Sequence, residues 1–350
     1  MELQRKISSF FNGESFPKSV FRDEYNFLRK ELLSEIFGGA SSFQEIYNKK
    51  YSKSKIKKKI NINKIEKLKL RKSSSFQKPL KEFQEYIEKN FDKDDLLGAY
   101  VHGSLGTDDF IENYSDFDAI LVIRKNILED RKKSVSLRKK IQKLNTFLYL
   151  LDPLQHHNLF IITELDMQYY FEPILPTILF KYVREVTDYG NALNFRCLDD
   201  KKYLREAFDY RIDMFENPTK YKFDKKTSYN LKNAVQNINF LPTLYLQLKN
   251  RKYMYKKYSF DLAKKDFSKK EWKIIQKCTN VRKKCPYKSY YPYWFRKFIG
   301  LKFHYKFLKA LHIYFDNNNT EKMMNILGND FLEEARALIF KMEKNIDNGK

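Results

Sequence analysis

Cysteine is scarce: three residues among 350, Cys197, Cys278 and Cys285. An odd, sparse set of that kind is neither a disulfide framework nor a zinc pattern, and it points to a reducing setting. There is no apolar run approaching the ~18 residues of a membrane span. The opening stretch, MELQRKISSFFNGESF, lacks the apolar core of a secretory signal. These absences predict a cytoplasmic protein with no transmembrane segment. No internal repeat is visible, which excludes a solenoid. Acid is in deficit: 44 Asp and Glu face 68 Lys and Arg, a net charge of +24. That balance suits a polyanionic partner, nucleic acid included. It equally suits the lysine-rich composition that AT-rich genomes impose.

What is present is enough for two domains with their own cores. Residues 20–37 have helical spacing and stop at Gly38-Gly39. Residues 49–72 carry twelve Lys or Arg and one Glu, which reads as a basic helix or solvated arm, and Ser73–Ser75 as a joint. Residues 78–91 read as a helix with Pro79 at its first position and Leu80, Phe83 and Ile87 on one side. LLGAYVHG (96–103) reads as a buried strand and DFDAILVI (116–123) as the next. Leu137, Ile141, Leu144, Leu148 and Leu151 predict an amphipathic helix ended by Pro153. HHNLFIIT (156–163) is a third strand. Beyond about residue 200 the periodicity is helical: 227–250 with a kink at Pro242, 268–284, and 320–345 with Met324, Leu327, Phe331, Ala335, Leu338 and Met342 on one side. The expected fold is α+β, with a small mixed sheet at 76–195, a helical and basic extension at 1–75, and a helical bundle of three to five helices at 196–350.

The stretch HGSLGTDDFIENYSDFDAILVI (102–123) concentrates the chemistry. Asp116 and Asp118 stand at i and i+2 where a strand begins, so both carboxylates face one spot. Two unpaired carboxylates brought that close repel, and burying them costs several kcal/mol. A hard divalent cation removes that cost: Mg²⁺, or Mn²⁺ in its place. Gly103 allows close backbone approach to a phosphate, and the Ser104 hydroxyl can donate to it. A helix N-terminus after Ser104 would add a favourable dipole. The P-loop lysine and spacing are absent.

A glycine and serine, eleven further residues, then Asp116-Phe117-Asp118-Ala119, between two strand-like runs, resembles the DNA-polymerase-beta-like nucleotidyltransferase superfamily. Within it, the stretch is most similar to the small-molecule branch, the aminoglycoside-type adenylyltransferases. The specific resemblance covers about 96–165. It implies a nucleotidyltransferase core at 76–195 and an acceptor-binding helical domain at 196–350. It implies Asp116 and Asp118 as catalytic metal ligands, Gly103 and Ser104 on the triphosphate, ATP as default donor, and a small-molecule hydroxyl as acceptor. The alternatives are transfer to RNA or protein, or nucleotide binding without turnover. The pattern departs from the family at the third carboxylate, because HHNLFIIT starts with no acid. There His156 and His157 alternate, and His157 is favoured by its position. A neutral histidine can take a hydroxyl proton near pH 7, its ordinary pKa being about 6.5. Asp152 and Glu164 are the fallback candidates.

Other features are less specific. Lys256 and Lys257, between two predicted helices, are candidates for the triphosphate. Residues 281–310 hold nine Lys or Arg, no acid, and many aromatics. They can bind a polyanion, settle on a membrane surface, or form a helix with buried rings and snorkelling lysines. Cys278 falls on an apolar face and reads as core.

Overall fold

A computed structural model describes residues 2–14, 25, 26, 28, 40–69, 77–107, 109–173, 175–198, 201–287, 289–314 and 319–348. The expected helix over 20–37 and the joint at 73–75 lie largely or wholly outside the described residues. The chain forms two compact units. The first comprises Met1–Phe110, Asp116–Asp199 and Pro292–Leu308; the second comprises Ile111–Ser115, Asp200–Tyr291 and Lys309–Lys350. Residues 1–75 thus belong to the first unit, and the expected boundary at 195/196 falls just before the second unit's longest segment.

The strands, in chain order, are β1 (Ile56–Ile62), β2 (Glu66–Lys67), β3 (Leu96–Val101), β4 (Ala119–Ile123), β5 (Phe160–Thr163), β6 (Arg184–Glu185) and β7 (Leu193–Leu198). All lie in the first unit. Five of them form a mixed sheet in the order β2-β6-β3-β4-β5, in which β3 and β4 are antiparallel and β4 and β5 parallel. β3 and β4 are buried at every residue, as a strand covered on both faces must be. Their side chains divide between two cores. Ala99, Val101, Leu121 and Ile123 join the helices Glu2–Asn12, Gln77–Asn90, Arg131–Leu151 and Tyr293–Lys302. Tyr100, Ile120 and Val122 join Tyr170, Phe180 and Phe195 on the other face. The helical spacing read from the sequence lands inward: Leu80, Phe83 and Ile87, and Leu137, Ile141, Leu144 and Leu148, are all buried.

The basic stretch at 49–72 folds differently from the expected helix or arm. Its centre is β1, paired antiparallel with β7, with Lys57, Lys58 and Lys59 exposed and Ile56, Ile60 and Ile62 half-buried. The isoleucines follow a period of two, which the density of lysine conceals.

The second unit is helical, with seven helices wholly within its described residues: Lys201–Glu216, Ser228–Ile238, Leu241–Asn250, Lys256–Lys264, Lys273–Lys284, Thr320–Leu327 and Phe331–Asp347. That exceeds the expected three to five, because two long periodic segments are broken. At 227–250 the break falls at Asn239–Phe240, and Pro242 occupies the first turn of the new helix, where it needs no N–H partner. At 320–345 the break is Gly328, at φ +83°. The shift it introduces buries Met323 rather than Met324. Cys278 lies in this unit's core, as its apolar face predicts. Among the described residues, no helix is long and apolar enough to cross a membrane.

Candidate active site

The register of β3 and β4 builds the site. Val101 pairs with Ala119, and one step further the His102 backbone N–H donates to the Asp118 carbonyl at 2.9 Å. Gly103 therefore stands beside Asp118. Its φ is +65°, and a Cβ placed on it would lie 2.2 Å from Asp118 Oδ2. The positive φ favours glycine here, and an added Cβ would displace the Asp118 carboxylate. Ser104 follows, partly exposed, in the single helical turn Gly103–Gly106. Four residues are too few for the helix dipole that the sequence suggests.

Asp116, Phe117 and Asp118 precede β4 rather than lying in it. Their alternation survives because Gln155 replaces a strand neighbour. Its side-chain Oε1 accepts from the Phe117 N–H at 3.1 Å, and its Nε2 donates to the Phe117 carbonyl at 3.0 Å. Phe117 is thereby fixed inward, fully buried and edge-on to Phe83 at 4.9 Å. In extended backbone, residues either side of an inward one turn outward, and Asp116 and Asp118 are accordingly half-buried.

His156 and His157 sit in the loop before β5, so strand alternation does not choose between them. Contact does. His157 Nε2 lies 2.9 Å from Asp118 Oδ1, and Nδ1 lies 3.0 Å from the Asn158 carbonyl. The Gln155 amide approaches the same ring at 3.3 Å, and the Asn158 oxygen is the closer partner of Nδ1. Oxygen acceptors at both nitrogens favour the doubly protonated ring. Burial works against that charge, but the hydrogen bond and charge of Asp118, with the charge of Asp116, outweigh it and raise the pKa to about 9. Both carboxylates therefore act on one ring. His102 is the opposite case. Buried beside Asp118, its pKa is pushed down by burial, and its Nε2 has no hydrogen-bond partner among the described residues. Both imidazoles pack on Phe160, at 4.9 Å for His157 and 5.4 Å for His102.

The fallback acids are occupied elsewhere. Asp152 is buried just past the helix Arg131–Leu151, and its Oδ1 accepts from the Leu154 N–H at 3.1 Å. Glu164 lies past the far end of β5, where it binds Arg124 at 3.0 Å and the Lys125 N–H at 2.9 Å. Lys256 and Lys257 open the helix Lys256–Lys264 in the second unit, while the other five predicted residues are in the first. Gln155 and Phe160 are the residues that sequence reasoning missed. Neither carries a motif, and Gln155 acts through the backbone of another residue.

Among the described residues there is no group of three or more His, Cys, Asp or Glu able to hold a metal. The donor set at Asp116 and Asp118 is two carboxylates, and Mg²⁺ takes one or two from a protein, with water and substrate phosphate completing its shell. These residues fit a hard cation shared with a phosphate. No family model, curated protein or solved structure matches the chain.

Proposed function

We propose that the first unit is a nucleotidyltransferase site of the DNA-polymerase-beta-like kind, transferring a nucleoside monophosphate, AMP by default, to a hydroxyl with release of pyrophosphate. The observation that carries this reading is the close approach of Gly103 to the Asp118 carboxylate. A glycine turn held against one of two neighbouring carboxylates is what a triphosphate bound beside a metal requires. Asp116 and Asp118 would hold the cation, which when bound stabilises charge on the phosphates and makes the acceptor hydroxyl more acidic. Gly103 would let the β- and γ-phosphates approach the backbone, with the Ser104 hydroxyl donating to them. His157 holds Asp118 in place and balances its charge. To serve as a base it must first lose the proton that the two aspartates keep on it. A small-molecule acceptor follows from the resemblance, and RNA or protein acceptors from the net charge of +24.

One observation favours a second reading, nucleotide binding without turnover: the His157 ring stands 2.9 Å from Asp118 Oδ1 and engages one oxygen of that carboxylate. The two readings separate in one experiment. Purified protein is incubated with Mg²⁺ and α-labelled ATP, alone and with pooled metabolites, aminoglycosides or RNA. Transfer of label by the wild type, abolished in Asp116→Ala and Asp118→Ala and reduced at least ~100-fold in Gly103→Ala, supports the enzyme. Metal-dependent nucleotide binding with no transfer from any of the four triphosphates supports the binding protein.

A further inference from the structure

The helix Tyr293–Lys302 is fastened to the first unit on one side. Gly300 lies flat against the helix Arg131–Leu151, where a Cβ would meet Thr146 Cγ2 at 2.2 Å. Arg296 Nη1 donates to the Leu150 carbonyl at 3.2 Å. The Tyr293 hydroxyl and the Lys297 amine both bind Glu82, at 2.6 and 2.9 Å. Trp294 and Phe298, one turn apart, point elsewhere and are 69% and 53% exposed. Phe303 and Phe307 extend the same surface at 61% and 65% exposure. Ring centroids are 6.1 Å apart from Phe298 to Phe303, and 6.4 Å apart from Phe303 to Phe307. Single exposed rings are ordinary on a protein surface; a run of them in mutual contact marks an interaction site.

The charges around the rings narrow the partner. Lys78 lies over the Tyr293 ring at 5.3 Å, and Arg296, Lys297, Lys302 and Lys306 are on the segment itself. Glu82 is the acid that the Tyr293 and Lys297 contacts bring in, and Glu14 acts on Lys306, while residues 272–315 contain no Asp or Glu. Arg296 and Lys297 are engaged within the unit, but an apolar protein face would leave Lys302 unmatched. Single-stranded nucleic acid would match it, but successive bases need open ring faces. Here Phe298 and Phe303 stand at 84°, the edge of one against the face of the other. A lipid surface asks for both features at once: a contiguous apolar patch with tryptophan at the boundary, and lysines that reach the headgroups.

We propose that this face docks the protein on the surface of an anionic phospholipid membrane. Trp294, Phe298, Phe303 and Phe307 enter the boundary between headgroups and acyl chains. Lys302 meets lipid phosphate, as does Lys306, which also donates to the Gly13 carbonyl. The contact is peripheral, and it stands independently of the chemistry assigned to Asp116 and Asp118.

The chain has two tryptophans, and the other, Trp272, is buried in the second unit at 4% exposure, so a shift in emission reports Trp294. Full-length protein is mixed with vesicles of phosphatidylcholine alone or with about a third phosphatidylserine. The expected result is co-sedimentation and a blue shift with the anionic vesicles and neither with the neutral ones. Trp294→Phe keeps the binding and loses the shift. Replacing Trp294, Phe298, Phe303 and Phe307 together with serine lowers vesicle partitioning at least ~10-fold, with circular dichroism and melting unchanged. Should that variant misfold, Lys302→Glu with Lys306→Glu provides the same comparison and the same expected loss. Failure to bind anionic vesicles, or binding that these variants retain, overturns the proposal. Ring-dependent binding of single-stranded RNA without vesicle binding overturns it in favour of a nucleic-acid surface.

Discussion

Gln155 is the residue on which the position of both aspartates turns. It makes two hydrogen bonds to the Phe117 backbone, replacing the ladder that β4 has not yet begun. Gln155→Ala removes two buried hydrogen bonds from the Phe117 backbone, at ~0.5–1.5 kcal/mol each. The expected outcome is a drop in denaturant midpoint together with weakened nucleotide binding. Gln155→Glu keeps the acceptor, loses the donor and falls between the two; equal midpoints for all three proteins would show that the clamp carries no weight. Asp116, Asp118, Gly103 and Ser104 were legible in the sequence because their spacing is a local pattern. Gln155 was not, because an amide acting on a backbone leaves no pattern. His157 was legible as a neighbour of Asp118 but not in its protonation, which depends on the Asn158 carbonyl and on both carboxylates.

Elements came through where one period governed them. The helices at 78–91 and 137–151 show a single apolar stripe, and the structure buries it. β1 was hidden because three consecutive lysines outweigh a weak period of two. The breaks near 239 and at Gly328 were hidden because apolar spacing runs across them. The helix Tyr293–Lys302 depends on close packing that spacing does not reveal. Gly300→Ala should destabilise by ~1–3 kcal/mol, although alanine is the better helix former by ~1 kcal/mol. Thr146→Ala in the same chain should recover part of that loss, since only the β-carbon then remains, 3.2 Å from the added methyl; chemical denaturation of the two single variants and the double variant measures the coupling. Just after that helix, His304 accepts the Lys306 backbone N–H on Nδ1 at 3.1 Å. Burial, with the charges of Lys306 and Arg138, lowers its pKa to about 4. Between that value and about 6.5 the unfolded chain holds more protons than the folded one. Its contribution is therefore complete above about pH 6.5 and declines as the pH falls toward 4, by ~1–2 kcal/mol after allowance for partial exposure. His304→Gln should flatten that slope in denaturant midpoints measured across the window.

At the scale of the whole molecule, the helical core shares no residue with either of the two cores that flank the sheet. Cys197 lies in the sheet core that holds Tyr100, Ile120 and Val122, and Cys278 and Cys285 in the helical one. All three thiols are buried, so alkylation under rising denaturant reads each unit separately. Leu338→Ala should lower the midpoint for Cys278 and Cys285 by the ~2–5 kcal/mol of a buried leucine. It should leave that of Cys197 in place; equal displacement of all three would mean that the cores melt as one.

The chain passes between the units five times, and residues 292–308 return to the first unit after most of the second. On the ribosome, then, the first unit cannot be completed in order of synthesis. Thr146 and the Leu150 carbonyl have been made, yet the helix that covers them is some 140 residues behind, on the order of ten to thirty seconds at ordinary elongation rates. During that interval an apolar strip of the helix Arg131–Leu151 stays open to chaperones and to other nascent chains. A stop codon anywhere before residue 292 would leave it open for good.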